Sequence, residues 1–356
     1  MFGLFPACHQ KLIAPTLRRF PILCSASALM LFCSVASAQQ DRIYLLTGSP
    51  VSGKIVEMKP DSVTIESGSK KQSVSVEQIQ RILYEGDPAP LTKGREFALD
   101  GQWEEALEEL RRIDFDSLNR DYIKADALYY LAESESKLAL MGRGNTAEAA
   151  KKMLAFVRAN SQNIHFYAAA KILGDLAVAM GIYDQALNYY GALAKAPSVD
   201  LKIESVYLTG LAKLRQGKAA DAQADFDKVI GASVQSTAAA RMQTLAKAGR
   251  AVTLSQQGNG AEGLKLVDSL IEELNPADSE MASRIYNAQG ASYEATGDSQ
   301  SAVIAYLHTH LMFSGQADAH AEALTKLVQL WPKIGKPERA ADAREELQQR
   351  YPGWGK

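Results

Sequence analysis

The stretch Leu173–Tyr190, with the sequence LGDLAVAMGIYDQALNYY, decides how most of this chain folds. Its landmarks recur thirty-six residues later: Gly174, Gly181, Ala186 and Tyr190 are followed by Gly210, Gly217, Ala222 and Phe226. Matches at one fixed offset indicate an internal repeat, and a period of this size is typical of stacked helical hairpins. The sequence therefore predicts a helical repeat array.

The small residue at Ala186 recurs at intervals of 36 to 43 residues, at Ala106, Ala149, Ala186, Ala222, Gly263, Ala302 and Ala340. A second small residue stands twelve positions earlier in most units, at Gly94, Gly174, Gly210, Ala251 and Gly290. A larger apolar residue follows four positions later, at Leu110, Tyr190, Phe226, Val267 and Tyr306. Small residues let the two helices of a hairpin approach closely, and the larger side chain is expected to fill the groove between neighbouring hairpins. We expect about seven hairpins over residues 91–352.

Two units carry the pattern most fully: Leu173, Gly174, Gly181, Tyr183, Ala186, Tyr190 and Pro197 in the third, and Gly290, Tyr293, Gly297, Ala302 and Tyr306 in the sixth. These residues resemble the tetratricopeptide repeat (TPR). The resemblance implies a mostly α protein, an α–α superhelix whose concave groove binds proteins or peptides. The seventh unit departs from the pattern, with Arg344 where an aromatic residue is expected.

Residues 41–86 have a different periodicity. Short alternating runs, such as Val63 and Ile65, are separated by turn residues, which predicts four or five strands in a small barrel-like module. The module resembles SH3-like and Sm-like barrels through Thr47, Gly48, Gly53, Val56, Val63, Ile65, Ile79 and Ile82. Its segment Gly48–Lys54 matches the phosphate-binding G-x-x-x-x-G-K motif, but Ile55 replaces the Ser or Thr that holds magnesium, so we interpret it as a turn.

The remaining boundaries follow from composition. Two prolines in Asp87–Pro90 predict a linker between the module and the array. At the other end, basic residues precede the apolar run Pro21–Val35, and Ala36-Ser37-Ala38 gives a small-x-small cleavage pattern. We therefore predict a signal peptide at 1–38 rather than a membrane anchor, and export to the periplasm or outside a bacterial cell, with no membrane span after cleavage.

Several function classes are disfavoured by the composition. All three cysteines, Cys8, Cys24 and Cys33, lie in the predicted signal peptide, so the mature chain has no thiol chemistry. His308 and His310 are two apart and point to different helix faces, and zinc on one helix would require i and i+4 spacing. We predict no catalytic residue, no cofactor and no metal site. The net charge of −2 gives no reason to expect nucleic acid as a partner.

Counting along the first helix of each hairpin places one polar and aromatic face toward the concave groove. The candidate protein-binding residues on it are Asp126, Tyr129, Glu133, Lys171, Asp175, Glu204, Tyr207, Arg284, Asn287 and Glu294. Tyr and Arg are enriched where proteins bind one another, so this face suits a protein or peptide partner. The leading hypothesis is an exported, non-enzymatic scaffold. The alternatives are an accessory factor of envelope polysaccharide or cell-wall synthesis that binds glycan through aromatic residues, and an enzyme with an unrecognised site.

Overall fold

The computed structural model describes residues 40–233, 236–352 and 354. The predicted signal peptide at 1–38 lies outside the described residues. The first described domain is a small sheet made of β1 (Asp41–Leu45), β2 (Val51–Met58), β3 (Ser62–Ser67), β4 (Lys70–Ser75) and β5 (Ile79–Leu83). The strand order is β4-β3-β2-β1-β5, and every pairing is antiparallel.

Alternation builds the core of this module. Ile43, Val63 and Ile65 are almost fully buried, because they lie on the inner face of their strands. Ile55 is buried and Val56 is 37% exposed, as alternation requires, and the register shift between Ile55 and Glu57 then places Met58 instead of Glu57 on the inner face. The sequence predicted four or five strands, and the structure has five, but the alternation did not reveal this bulge.

The rest of the described chain is a helical array. Its helices are α1 (Ala89–Leu99), α2 (Trp103–Leu110), α3 (Asp121–Leu140), α4 (Thr146–Ala159), α5 (Phe166–Ala179), α6 (Tyr183–Leu193), α7 (Val199–Arg215), α8 (Ala219–Ile230), α9 (Thr237–Gln256), α10 (Gly260–Glu272), α11 (Ser279–Thr296), α12 (Ser299–Met312), α13 (Ala317–Leu330) and α14 (Pro337–Arg350). Consecutive helices pack as seven hairpins. The predicted fold class, a TPR-like solenoid behind a small β module, is confirmed.

The small residues perform the role that the repeat pattern predicts. A Cβ added to Gly174 would overlap the ring of Tyr190, which packs across the hairpin α5–α6. The same relation joins Gly210 to Phe226 in α7–α8 and Gly290 to Tyr306 in α11–α12. Glycine therefore sets the distance between the two helices, and the aromatic ring fills the space.

The β module and the array share one hydrophobic core. It contains Ile43 and Tyr84 of the module together with Leu91 of α1 and Ile123 of α3. Helix α1 begins at Ala89, within the segment expected as a linker, because proline fits the first turn of a helix. The two domains are therefore joined by packing as well as by the chain.

The second and the last hairpins of the array come together. Gly142, after α3, lies against the carbonyl oxygen of Arg350 at the end of α14. On the inner side, Arg215 of α7 bonds the carboxylate of Glu322 of α13 at 3.2 Å. The superhelix therefore curves far enough to enclose a central space. No helix in the described ranges is long and apolar enough to cross a membrane.

Candidate ligand-binding cavity

The central space of the array is a cavity of about 320 Å³. Most of its charged lining comes from α5, α7, α11 and α13, through Lys171, Asp175, Arg215, Glu280, Arg284 and Asp318, and Lys137 of α3 and Arg350 of α14 complete it. An apolar side is formed by Val178, Leu208 and Leu211. Cavities of this size that combine an apolar wall with a few placed polar groups are the usual form of a ligand site.

One charge cluster lies on α5 and α7. The Nζ of Lys171 is 3.2 Å from Asp175 and 4.0 Å from Glu204. Asp175 raises the pKa of Lys171 well above its ordinary value, so this ammonium is charged at neutral pH. The hydroxyl of Tyr190 donates to the other oxygen of Asp175 at 2.8 Å, which fixes the carboxylate in place.

A second cluster joins α7, α11 and α13 around Asp318. This carboxylate pairs with Arg284 and lies 3.6 Å from Arg215. Burial alone would raise the pKa of Asp318, but the two arginines outweigh it and lower the pKa below its ordinary value. Because Arg215 and Asp318 are far apart in the sequence, the fold must form before this cluster exists.

The cavity therefore presents fixed groups of both signs. Lys171, Arg215 and Arg284 are donors, and Asp175 and Asp318 are acceptors, already oriented by one another. Charge-assisted hydrogen bonds to such groups are stronger than neutral ones. A ligand that carries both donors and acceptors is favoured over a simple anion or cation.

The ten residues predicted from sequence fall into three groups. Lys171, Asp175 and Arg284 line the cavity, and Glu204 stands beside Lys171. Burial raises the pKa of Glu204, although Lys171 opposes this change. These four are the residues that the structure brings together at the candidate site.

A second group is buried near the β module. The carboxylate of Asp126 accepts a hydrogen bond from the guanidinium of Arg95 of α1 at 2.7 Å, and its other oxygen lies 2.9 Å from the Nε2 of His165. Tyr129 stacks on His165 with ring centroids 3.8 Å apart, and its hydroxyl donates to Glu133 at 3.0 Å. Burial raises the pKa of Glu133. Asp126, Tyr129 and Glu133 therefore hold α3 in place and do not line the cavity.

The third group lies between helices. Tyr207 is 2% exposed and packs toward Phe226. Asn287 donates to the carbonyl oxygen of Ala319 at 2.8 Å, and Glu294 accepts from the hydroxyl of Tyr306 at 2.8 Å. These three join neighbouring helices and are absent from the lining of the cavity.

Sequence reasoning missed Arg215, Glu280 and Asp318. Arg215 lies in the last turn of α7, while Glu280 and Asp318 lie in the first turns of α11 and α13. The counting rule sampled the middle of each first helix. Charged residues in the end turns were the available signal, because the ends of the inner helices also face the cavity.

Comparison with solved structures identifies the architecture. A tetratricopeptide repeat protein from Parabacteroides merdae ATCC 43184 is similar with a TM-score of 0.50 and 19% identity, over 75% of this chain and 93% of that chain. A Rap protein complexed with Competence and Sporulation Factor gives a TM-score of 0.54 at 14% identity, over 73% of each chain. Identities this low show the fold alone. No protein-family model and no curated protein matches the chain.

Proposed function

We propose that this protein is a non-enzymatic scaffold that holds a segment of another polypeptide in its central cavity. The observation that carries the proposal is the lining: oriented charges of both signs beside the apolar wall of Val178, Leu208 and Leu211. A peptide backbone offers donors and acceptors at every residue, and its side chains supply apolar groups and charges. The Rap protein with the similar fold is complexed with Competence and Sporulation Factor, which supports a binding role.

The charges of the cavity also support binding over catalysis. General acid–base catalysis works best with a group whose pKa lies near the operating pH. The pKa of Lys171 is raised by Asp175, and that of Asp318 is lowered because Arg284 and Arg215 outweigh its burial. Both groups therefore keep their charge at neutral pH and act as fixed hydrogen-bonding partners.

The glycan alternative depends on exposed aromatic faces. The ring of Tyr190 is packed against Gly174, and the ring of Trp354 is covered by the guanidinium of Arg215 at 4.2 Å. Sugar rings stack on open aromatic faces, and these two are occupied. Cations also stand over the other two aromatic rings of the lining, Lys137 at 6.0 Å from Trp103 and Arg350 at 5.4 Å from Tyr351. A polypeptide ligand is therefore the better-supported proposal, and glycan binding is an outcome that the test below distinguishes.

We also propose that the β module has an SH3-like arrangement and serves as the N-terminal cap of the array. The return of β5 to β1 after a 3₁₀ turn at Val76–Gln78 supports the arrangement. The core shared by Ile43 and Leu91 supports the capping role, because the terminal unit of a solenoid must cover its outer apolar face.

Export stays a proposal that depends on the sequence of residues 1–38. We expect the mature chain in the envelope fraction of a bacterial cell, with Gln39 as its first residue. Cell fractionation followed by N-terminal sequencing tests this. An uncleaved chain in the cytoplasm would contradict it without affecting the binding proposal.

The binding proposal is tested by blocking the cavity. Ala179, at the end of α5, lines it, whereas Ala220 of α8 is exposed. Random short peptides are selected on the tag-free protein, and their affinity is then measured on Ala179→Trp and Ala220→Trp. We expect Ala179→Trp to weaken binding by at least about 10-fold, because the indole occupies the ligand volume, and Ala220→Trp to leave it unchanged.

Three outcomes contradict the proposal: no selected binder, equal binding by both variants, or loss with Ala220→Trp alone. If no peptide binds, and glycan oligomers bind the wild type but not Ala179→Trp, the ligand of the cavity is a glycan and not a polypeptide. Circular dichroism of both variants establishes that the array is intact.

A further inference from the structure

Three side chains that sequence analysis left without a role meet at one end of the array. They are His310 in the last turn of α12, His320 in the first turn of α13, and Glu346 near the end of α14. One potential ligand atom from each lies within 4.8 Å of the other two. None of the three lines the central cavity, although Arg350 and Tyr351, which contact the cluster, do line it, so the cluster lies behind the cavity wall.

The two histidines face each other directly. The Nδ1 of His310 is 2.9 Å from the Nε2 of His320, and the ring planes differ by 4°. His320 is fully buried, and its other nitrogen, Nδ1, is 2.9 Å from the hydroxyl of Tyr351. One shared proton can link the two imidazoles, and a divalent ion can take its place by accepting both lone pairs.

Glu346 adds an oxygen ligand on the same side. Its carboxylate lies 3.6 Å from the Nε2 of His320. Two ligands of a tetrahedral zinc ion are about 3.3 Å apart, given bonds of about 2.0–2.1 Å. The separations of 2.9 and 3.6 Å bracket that value, and the third pair, the Nε2 of His310 and the carboxylate of Glu346, is 4.0 Å apart. His310, whose side chain is 23% exposed, must turn for all three ligands to close on one ion.

We infer that His310, His320 and Glu346 form a binding site for a divalent metal ion that favours imidazole ligands, with zinc as the preferred ion. Two imidazole nitrogens and one carboxylate are a set that zinc accepts, with solvent as the fourth ligand. Calcium and magnesium are disfavoured because they prefer oxygen ligands.

The surrounding groups fit this role. Tyr351 can accept the Nδ1–H of His320, which leaves Nε2 unprotonated and directed at the ion. Arg350 donates to one oxygen of Glu346 at 3.0 Å and to the carbonyl oxygen of Ser314 at 3.1 Å, so it orients the carboxylate.

The test is a titration of the tag-free protein with zinc chloride, and with cobalt chloride for its visible absorption. The wild type should bind a single equivalent, with cobalt bands characteristic of nitrogen ligands. His310→Gln should weaken the affinity by at least about 100-fold, and Tyr351→Phe by about 10-fold, because it loses only the bond that orients His320. His308→Gln is the matched control, because His308 is on the same helix but stacks on Tyr286. This variant should bind zinc with the affinity of the wild type.

Two results overturn the inference. One is a wild type without saturable zinc binding, and the other is an affinity that His310→Gln leaves unchanged. His310 is partly exposed, so its variant should fold, and thermal melting without metal checks this. In the wild type, zinc should also raise the melting temperature, because the ion binds the folded state. His308→Gln should share that increase, and His310→Gln should lose it.

Discussion

Single buried charges hold the β module onto the array. Asp41, which is 1% exposed, accepts hydrogen bonds from the backbone N–H groups of Ile55 and Glu85, each at 2.8 Å. Its two oxygens also pair with the guanidinium of Arg120 at 2.6 and 2.9 Å. A buried carboxylate is stable only when its lone pairs are satisfied, and here strand β2, the residue pair that follows β5 and the residue before α3 together satisfy them.

This arrangement predicts a pH-dependent contribution from Asp41. Burial alone would raise its pKa, but the bonds from Arg120 and the two N–H groups outweigh burial and lower the pKa below 3.8. The stabilisation is therefore present above the pKa of the unfolded chain, about 3.9, and is lost as pH falls through the folded value. Asp41→Asn should lower the free energy of unfolding by about 2–3 kcal/mol at neutral pH.

Urea unfolding of both proteins from pH 7 to about pH 3 measures this difference. The gap between wild type and Asp41→Asn should narrow below about pH 4, because the wild-type carboxyl becomes protonated. Asp61→Asn is the control in the same module, since Asp61 is exposed in a turn, and its cost should stay within about 0.5 kcal/mol. A gap that stays constant down to the lowest pH would show that the charge of Asp41 is not what stabilises the junction.

The same junction shows which contacts of single residues could not be predicted from the sequence. Counting from the repeat correctly placed Asp126 and Tyr129 on the first helix of the second hairpin. It did not reveal that Arg95, 1% exposed, comes from the preceding hairpin to pair with Asp126, or that His165 stacks on Tyr129. Periodicity gives the face of a helix, but what covers that face depends on the neighbouring elements.

At the scale of elements, prediction from sequence was most successful for the hairpins. Gly174 was expected to let the two helices of its hairpin approach closely, and the structure places the Tyr190 ring directly over this glycine. The inference works because a close helix crossing requires a small residue opposite a large one, and both lie within one hairpin. The β module was less fully predicted, since nothing in the alternation of residues 51–58 marks the bulge after Ile55.

Alanine substitutions at Gly174 and Gly191 distinguish the effect of packing on stability from the effect of helix propensity. Both are inside helices of one hairpin, but a Cβ on Gly174 would overlap the buried Tyr190 ring, whereas one on Gly191 meets nothing within 4 Å. Overpacking costs about 1–3 kcal/mol, and alanine gains up to about 1 kcal/mol over glycine in a helix. Gly174→Ala should therefore lower the free energy of unfolding by about 1–2 kcal/mol, and Gly191→Ala should raise it by about 0.5–1 kcal/mol.

Chemical denaturation of the two variants checks the opposite signs. Tyr190 also holds Asp175 through its hydroxyl, so Gly174→Ala should weaken selected cavity ligands as well. Stabilisation by both substitutions would mean that the Tyr190 ring moves aside at no cost, and that the glycine of the repeat is not required for packing.

At the scale of the whole molecule, the cavity exists because distant hairpins meet. Arg215 bonds Glu322 at 3.2 Å and lies near Asp318, over one hundred residues later in the chain. The path of the superhelix is the sum of small rotations between neighbouring hairpins, and uneven repeat lengths change each of them. No local pattern records that sum, so the sequence predicted a groove but neither its closure nor the residues from the ends of α7, α11 and α13.

The closure can be tested with two glycines that share a backbone conformation. Gly101 and Gly142 follow the first helices of hairpins one and two, with φ of +74° and +79°. A Cβ meets nothing within 4 Å at Gly101, but at Gly142 it overlaps the carbonyl of Arg350. Either alanine variant carries a left-handed strain of about 1–2 kcal/mol, and Gly142→Ala alone must also displace the end of α14.

Hydrogen exchange should then distinguish the two variants. In Gly142→Ala the amides at the C-terminal end of α14 should exchange faster than in Gly101→Ala, because their contact with the α3–α4 turn is lost. Peptides selected on the wild type should bind Gly142→Ala more weakly, since Arg350 and Tyr351 line the cavity. Their affinity for Gly101→Ala should equal that for the wild type. Equal exchange in α14 would show that the contact between the second and the last hairpins does not hold the array closed, and the cavity would then depend on the inner charge clusters alone.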